Sequence, residues 1–521
     1  MTDTTSSADA QAEAVRKGYA FTGPALELGA LLSDGQPLPD VQVRVPLEML
    51  NRHGLVAGAT GTGKTKTLQL MAEQLSAQGV PVFLADIKGD LSGMSQPGQP
   101  SDKLTARTQS IGQTWQPTGF PSEYLALGGL GSGVPVRATI TSFGPTLLAK
   151  VLDLNETQTS SLSLVFHYAD QAGLALLDLK DLRSVIQYLV SDEGKGDLAG
   201  LGGLSPATAG VLLRELVEFA DGGAEAFFGE PEFETKDLLR TAPDGRGMVT
   251  CLELTTVQDK PALFSTFLMW LLADLFHDLP EAGDLDKPKL VFFFDEAHLL
   301  FNDASKAFLD QITQTVRLIR SKGVGVFFVT QSPKDVDADV LAQLGNRVQH
   351  ALRAYTPDDA KALKAAVSTF PRSGYDLEEL LTTLGIGEAV VTVLSETGAP
   401  TPVAWTRLRA PESLMAPAPA DAVAATVSAS PLQAEYGTAL DRESAYERLR
   451  AKLAPPPAPA SPAPSAPAPV PEAPGRQQRE EPSMVEQVVT SPVVKSFLRS
   501  AGTVLGREIT RSIFGTAKRR R

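Results

Sequence analysis

Residues 58–65 read GATGTGKT, and this stretch decides the fold. It matches the Walker A pattern G-x-x-x-x-G-K-[ST], in which a glycine-rich loop joins a strand to a helix. Residues 55–57 before the loop are apolar and suit a buried strand, and residues 67–71 after it suit a helix. The sequence therefore predicts an α/β fold in which this loop follows one strand of a mainly parallel sheet.

The loop also predicts a triphosphate site. Its glycines let successive backbone N–H groups turn inward, and they do so at a helix N-terminus, which already favours anions. Lys64 would reach the β- and γ-phosphates, and the hydroxyl of Thr65 would ligate Mg²⁺. The residues that we expect to bind the nucleotide are Gly58, Ala59, Thr60, Gly61, Thr62, Gly63, Lys64, Thr65 and Lys66.

A second motif, KLVFFFDEAHLL, occupies residues 289–300. Residues 290–294 are all apolar, which indicates a strand buried on both faces, and two acids follow at its expected carboxyl edge. Asp295 suits an acidic residue that holds Mg²⁺ through a bound water molecule. Glu296 is placed to polarise the water that attacks the γ-phosphate. The alternative is a strand that simply ends in two solvated acids.

Two further segments place polar residues at strand ends. Residues 325–331 read GVFFVTQ, and Gln331 would hydrogen-bond the γ-phosphate and the attacking water, unless it is only an exposed polar residue. Residues 81–86 form another apolar strand that ends in Asp86. The loop that follows has two interpretations. Its polar residues Asp86, Lys88 and Asp90 could form a site that senses the substrate or positions phosphate, or the loop is an ordinary polar connection between a strand and a helix.

These motifs, in this order and followed by Gly345-Asn346-Arg347, resemble the HerA–FtsK class of P-loop motor ATPases. The closer resemblance is to the bacterial helicase HerA-like proteins of the YjgR type, and it covers about residues 15–410. The stretches that carry it include residues 44–47 through the loop, 86–90, 227–231 and 349–357. The resemblance implies a RecA-like core, ATP and Mg²⁺ as cofactors, Glu296 as the catalytic residue and a hexameric ring.

The same resemblance favours Arg347 as the cation that stabilises charge developing on the γ-phosphate. Arg317 and Arg320, on the helix before the Gln331 strand, are the other candidates. Whether Arg347 acts in its own subunit or across an interface is left open. The alternative is an arginine that holds an interface or a carboxylate.

The composition limits the function. The chain has 521 residues and a net charge of −14, which argues against a generally basic nucleic-acid-binding surface but allows a small basic pore. Its one cysteine, Cys251, permits no internal disulfide and fits a reducing cytoplasm. The N-terminus lacks a signal-peptide pattern. The most apolar window, residues 262–276, is too short to span a membrane.

Four regions follow from the sequence. We expect disorder in residues 1–14 and an ATPase domain in residues 15–410, with an inserted helical subdomain at about 145–240. Residues 411–475 should form an Ala/Pro-rich linker that contains a short helix at 441–453. Residues 476–521 should form a basic amphipathic helix.

The final segment is the only clearly basic region, because residues 475–521 hold ten Lys or Arg against four Glu. It would either dock on this or a neighbouring subunit, or bind nucleic acid or anionic lipid.

The primary functional hypothesis is an oligomeric, ATP-driven motor that translocates or unwinds DNA. The DNA assignment rests on the resemblance alone, because many functions share this fold. The first alternative is a motor or nucleotide switch that acts on a protein partner, as type IV secretion ATPases do. The second is a nucleotide-gated scaffold with little turnover.

Overall fold

The computed structural model describes residues 3–453, except for residues 199, 201, 259, 284 and 302–305. Twelve strands in this part of the chain join in one sheet. In chain order they are β1 (Ala25–Ser33), β2 (Gln36–Pro46), β3 (Gly54–Ala57), β4 (Val82–Asp86), β5 (Ser122–Leu127), β6 (Val134–Val136), β7 (Val249–Glu253), β8 (Leu290–Phe294), β9 (Val324–Thr330), β10 (Asn346–Gln349), β11 (Glu388–Thr392) and β12 (Ala404–Leu408).

The spatial order of the strands is β2-β1-β12-β11-β10-β3-β9-β8-β4-β7-β5-β6. Every pair from β10 to β6 is parallel, whereas β2, β1, β12 and β11 add an antiparallel edge. The mainly parallel α/β sheet is therefore confirmed. The strand before the glycine-rich loop, β3, lies beside β9, and β9 lies beside β8. The three predicted motifs consequently meet at one edge of the sheet.

Helices cover both faces. They are α1 (Asp3–Gly18), α2 (Lys64–Ala77), α3 (Asp102–Ser110), α4 (Ile140–Val151), α5 (Glu156–Gln171), α6 (Leu179–Leu189), α7 (Pro206–Asp221), α8 (Pro261–Asp278), α9 (His298–Phe301), α10 (Lys306–Ile319), α11 (Ala338–Leu341), α12 (Pro357–Ser368), α13 (Leu377–Thr383), α14 (Ala420–Ala429), α15 (Pro431–Tyr436) and α16 (Ala445–Leu453). None of them combines the length and the apolar character needed to cross a membrane.

Four α-helices, α4 to α7, occupy most of the range of the expected helical insertion at about 145–240. Its apolar residues, such as Leu182 and Leu212, belong to the same buried cluster as Phe292 and Phe294 of β8. Phe293, which points to the opposite face of the sheet, belongs to a second cluster with α2. The insertion is thus a layer on one face of the sheet that shares its core, because alternate residues of the fully buried β8 serve both faces.

The prediction of disorder at the N-terminus is wrong, because residues 3–18 form α1. Polar composition suggested disorder, but Ala12 and Val15 are buried against the sheet. Next to the helix, the Tyr19 hydroxyl donates to the carbonyl oxygens of Val391 at 3.2 Å and Pro402 at 3.0 Å. These contacts hold the segment against the antiparallel edge of the sheet.

The boundary at residue 410 is also wrong. Residues 411–453 pack on the domain as an irregular strap followed by α14, α15 and α16, and one compact unit extends to Ala454. The backbone N–H groups of Glu412 and Ser413 donate to the buried Glu73 carboxylate at 2.8 and 3.0 Å. Alanine and proline content predicted a free linker, but it could not reveal this acceptor on α2. The expected linker beyond 454 and the helix at 476–521 lie outside the described residues.

Candidate active site

The loop of residues 58–63 bridges β3 and α2 in a glycine-dependent shape. Gly61 and Gly63 have φ values of 80° and 112°, which favour glycine. The N–H of Gly58 donates to the Thr330 carbonyl at 3.1 Å, and the N–H of Ala59 donates to the Ala351 carbonyl at 2.8 Å. The loop is therefore anchored to the ends of both neighbouring strands, and the helix N-terminus behind it is available to an anion.

Lys64 is buried at the first position of α2, with 6% exposure. Its ammonium donates to the carbonyl oxygens of Gly58 at 2.7 Å and Ala59 at 3.2 Å. Burial lowers the pKa of Lys64, and the nearby Glu296 carboxylate opposes that effect. A phosphate over the loop would supply this buried ammonium with a full counter-charge.

Asp295 directly follows β8 and is 1% exposed. Its Oδ1 accepts from the Glu296 N–H at 2.9 Å, while its Oδ2 has no hydrogen-bond partner among the described residues. Burial and the adjacent Glu296 raise the pKa of Asp295 to about 7. A buried carboxylate oxygen without a partner fits a cation ligand.

The donor set near Asp295 suits Mg²⁺ bound with a phosphate. No three His, Cys, Asp or Glu side chains form a metal cluster in the described part of the chain. Mg²⁺ often takes only one or two protein oxygens and completes its shell with water and phosphate. Thr65, which is partly buried beside Lys64, offers the second protein oxygen that this arrangement needs.

Glu296 has a left-handed backbone, with φ of 48°. Its Oε1 forms an ion pair with the Lys88 ammonium, and its Oε2 lies 3.1 Å from His298 Nδ1. Burial acts to raise the pKa of Glu296, but the charge and hydrogen bond of Lys88, helped by His298 and Lys64, hold it below its usual value. Glu296 is thus an ionised carboxylate at the end of β8.

A polar cavity of about 400 Å³ lies between the loop and the strand ends. Gln331 lines it from the end of β9, so the loop and Gln331 face one space, and the role of Gln331 on the γ-phosphate stays a prediction. His298, the neighbour of Glu296, lines it too. The cavity is lined by Ala59, Thr60, His298, Gln331, Ser332, Lys334, Asp335, Leu352, Arg353, Asp359, Ala362 and Leu363.

Arg347 is not brought to this cavity. It pairs with Leu55 in the parallel register of β10 and β3, two positions before Ala57, and it is half-buried. Burial lowers the pKa of Arg347. Arg317 on α10 and Arg320 just after it do not line the cavity either. The predicted role of Arg347 on the γ-phosphate therefore stays a prediction.

Arg353 is a cavity residue that the sequence analysis did not single out. It follows β10, lines the 400 Å³ cavity and donates from Nη2 to the Thr60 carbonyl at 3.4 Å. The stretch 349–357 carried the family resemblance, and that was the available signal. Arg353 places an exposed cation directly above the loop.

Lys66 faces a different space. It lines a second cavity of about 280 Å³ on the other side of the loop, together with Gly63 and Thr67. Burial lowers the pKa of Lys66. The other walls, which are largely apolar, come from α3 and from the segments around β11 and β12, with Ser101, Lys103, Leu104, Arg107, Ile386, Gly387, Leu408, Arg409, Ala410, Pro411 and Met415.

His350 packs beneath the loop, a role that its sequence position did not reveal. It is fully buried, its Nε2 lies 2.9 Å from Thr67 Oγ1, and burial lowers its pKa to about 3. A Cβ on Gly58 would lie only 2.4 Å from the Cβ of His350. The neutral imidazole therefore packs under the loop, and the Cβ of His350 leaves no room for a side chain at Gly58.

The loop after β4 has a defined geometry. Asp86 is fully buried, and its carboxylate accepts from the N–H groups of Gly89 at 2.7 Å and Leu91 at 2.9 Å. Burial raises the pKa of Asp86. Asp86 therefore builds the turn, while Lys88 within it reaches Glu296. A role of Lys88 in sensing the substrate or positioning phosphate stays a prediction.

Comparison with known proteins agrees with this geometry. The family described as helicase HerA-like C-terminal matches residues 32–521. The DNA double-strand break repair helicase HerA of Saccharolobus solfataricus is 20% identical over 390 residues, which are 74% of this chain and 69% of that protein. The HerA helicase of Sulfurisphaera tokodaii is 22% identical over 381 residues, 71% of this chain and 67% of that protein.

Among solved structures, the unbound bacterial conjugative coupling protein TrwBdeltaN70 aligns with a TM-score of 0.51 and 16% identity. That alignment covers 79% of this chain and 94% of the coupling protein. The two chains share their fold, which confirms the RecA-like P-loop core.

Proposed function

Because this chain belongs to the helicase HerA-like C-terminal family, we propose that it hydrolyses ATP at the edge formed by β3, β9 and β8 and uses the energy to move DNA. As a member, it is an ATP-driven motor ATPase of the HerA–FtsK class. The observation that carries the hydrolytic proposal is the convergence of the loop, Asp295, Glu296 and Gln331 at the common end of β3, β8 and β9.

The triphosphate would lie over residues 58–65, with Lys64 turning from the loop carbonyl oxygens to the β- and γ-phosphates. Thr65 and Asp295 would hold Mg²⁺, which would neutralise charge on the phosphate oxygens. The buried, unpartnered Asp295 Oδ2 supports this assignment. The adenosine would extend past Gly63 and Lys66 into the 280 Å³ cavity, because that space adjoins the first turn of α2 and is mainly apolar.

Glu296 would orient and polarise the attacking water, and Gln331 would contact that water and the γ-phosphate. The low pKa of Glu296 supports an ionised carboxylate at neutral pH. Arg353 supplies positive charge from the same chain, on the 400 Å³ cavity. Arg347 would act across a subunit interface in a hexameric ring, since in its own chain it lies away from the cavity.

DNA is the proposed substrate because the HerA relatives are described as DNA double-strand break repair helicases. A net charge of −14 confines any DNA contact to local basic loops or to the basic segment 475–521. We also propose a cytoplasmic location, because a single buried cysteine gives the chain no internal disulfide.

The experiment is ATP turnover with Mg²⁺, with and without single- or double-stranded DNA, at protein concentrations that span assembly. We expect turnover that DNA stimulates. Lys64→Ala should weaken ATP binding, and Lys195→Met, which removes an exposed ion-paired lysine, is its control. Turnover that DNA does not change, together with no DNA binding, would favour a protein partner instead. Full ATP affinity in Lys64→Ala would contradict the placement of the phosphates.

A further inference from the structure

The Glu296 carboxylate is engaged by a lysine that belongs to another strand end. Lys88 contacts Oε1 of Glu296, whose side chain is 5% exposed, while the Lys88 side chain is 44% exposed. The second oxygen, Oε2, lies 3.1 Å from His298. A carboxylate that polarises water must present an oxygen to that water, and in this arrangement Lys88 holds one of the two.

Lys88 is carried by a fixed turn. It follows β4, which lies beside β8 in parallel register, so the two strand ends bring Lys88 and Glu296 together. Asp86 fixes the turn through its bonds to Gly89 and Leu91. The backbone is therefore held in place, while the half-exposed side chain retains the freedom to change its partner.

The site would offer Lys88 a stronger partner once a triphosphate is bound. Lys88 contacts Glu296, which directly follows β8, and lies close enough to Lys64 for its charge to lower the pKa of that ammonium. A terminal phosphate brings more negative charge and more acceptor oxygens than one carboxylate, and charge-assisted bonds to it are correspondingly strong. A diphosphate ends at the β-phosphate and has no γ-phosphate to offer Lys88.

We infer that Lys88 is a positioning residue that exchanges Glu296 for the γ-phosphate when ATP binds, and so releases Glu296 for the attacking water. This inference rests on the proposed function. Without a γ-phosphate, Lys88 stays on Oε1 and holds the carboxylate in an orientation in which Oε2, without a hydrogen-bond partner among the described residues, lies beside His298. The exchange makes Lys88 a determinant of the preference for a triphosphate over a diphosphate, and it ties the availability of Glu296 to the presence of ATP.

A double-mutant cycle on the full chain tests the exchange. The affinities of a non-hydrolysable ATP analogue and of ADP, both with Mg²⁺, are measured for the wild type, Lys88→Met, Glu296→Gln and the double variant. Glu296→Gln removes the partner that competes for Lys88, so it should tighten analogue binding by about tenfold when Lys88 is present. In the Lys88→Met background, Glu296→Gln should tighten analogue binding by a clearly smaller factor. The affinity for ADP should change little in all variants.

The controls separate an exchange from a structural role. Lys195→Met removes another ion-paired lysine and should leave both affinities unchanged. Lys88→Arg keeps the charge and should restore most of the analogue-to-ADP preference. Lys88→Gln repeats the cycle with a polar side chain, in case the methionine variant folds poorly.

An equal effect of Glu296→Gln with and without Lys88, or an analogue-to-ADP ratio that Lys88 variants do not alter, would overturn the inference while leaving ATP hydrolysis intact. A wild-type protein that binds ATP but never hydrolyses it would instead contradict the proposed function. The two failures are therefore distinguishable.

Discussion

Two neighbouring acids, Asp295 and Glu296, have opposite electrostatic environments at the end of β8. Asp295 is buried, and its burial and the adjacent Glu296 carboxylate raise its pKa to about 7. Glu296 faces Lys88, and its pKa falls below the usual value despite burial. The environment of Asp295 favours a bound metal ion. The environment of Glu296 keeps its carboxylate ionised, so that it can polarise a water molecule. This division of roles follows from the partners of each side chain and not from their order in the chain.

Asp295→Asn should remove the Mg²⁺ dependence of ATP binding, because an amide supplies a weaker ligand oxygen at the same place. We expect the ratio of ATP affinity with Mg²⁺ to ATP affinity without Mg²⁺ to be at least about tenfold smaller in the variant than in the wild type. The measurement is ATP affinity with and without Mg²⁺. Asp192→Asn, which changes an exposed acid, is the matched control. An unchanged Mg²⁺ dependence in Asp295→Asn would rule out this ligand.

Glu73 predicts a pH dependence of stability. Burial raises its pKa to about 7 from an ordinary value of 4.5, although Ser413 and Glu412 donate to it. Between these values the folded protein keeps the proton and the unfolded chain releases it, so the free energy of unfolding falls as the pH rises. Above pH 7 this loss is complete, and it amounts to a few kcal/mol at most, at about 1.4 kcal/mol per pKa unit.

Glu73→Gln should remove that dependence. Relative to the wild type, the variant should gain stability between about pH 5 and about pH 8, by on the order of 2 kcal/mol. Urea unfolding at both pH values measures the difference. A difference between variant and wild type that does not change with pH would contradict the assignment to Glu73.

At the scale of elements, the active edge depends on the adjacency of β3, β9 and β8. Their apolar sequences predicted the strands, and their terminal polar residues meet because parallel strands end at a common edge. The loop is then held from below by β10, whose next residue, His350, packs under Gly58. The pairing of β10 with β3 thus places His350 under Gly58, and the shape of the loop depends on this contact as well as on its own glycines.

Gly58→Ala should disturb the loop, since the new Cβ would lie 2.4 Å from the Cβ of His350. We expect ATP affinity to fall by about tenfold, because the loop N–H groups must shift. Gly196→Ala is the control, as nothing lies within 4 Å of a Cβ at that position. Wild-type affinity in Gly58→Ala would show that the loop does not rest on His350.

Sequence patterns predicted those parts of the site that neighbouring residues encode. Lys64, Thr65, Asp295 and Glu296 belong to local motifs, and Gln331 follows an obvious strand. Sequence patterns could not predict contacts between segments that are far apart in the chain. Lys88 and Glu296, for example, are in contact although 208 residues separate them. Glu73 under the strap of residues 411–418 is another such case, because a polar acceptor on one helix does not reveal which backbone will cover it.

At the scale of the molecule, the domain is larger than composition suggested. A sheet of twelve strands, the helical layer and the strap share one compact unit that ends at Ala454. α16 packs on α6, where Ser444 and the N–H of Tyr446 both donate to Asp181. The segment after residue 410 is therefore part of the motor domain. It covers Glu73 on α2 and packs against Asp181 on α6.

A chain ending at residue 410 should melt at least about 5 °C lower than a chain ending at residue 454. The shorter chain loses the strap over Glu73 and the contacts of α16. Thermal unfolding of the two chains measures this. Equal melting temperatures for the chains ending at 410 and 454 would show that the strap adds no stability.

The most direct test of the whole account is ATP turnover by the wild type and by Glu296→Gln, with ATP binding measured on the same samples. If Glu296 polarises the attacking water beside a triphosphate on the loop, Glu296→Gln should bind ATP and turn it over at least about 100-fold more slowly. Turnover by Glu296→Gln at the wild-type rate, or a wild-type protein that binds no ATP, would contradict the account.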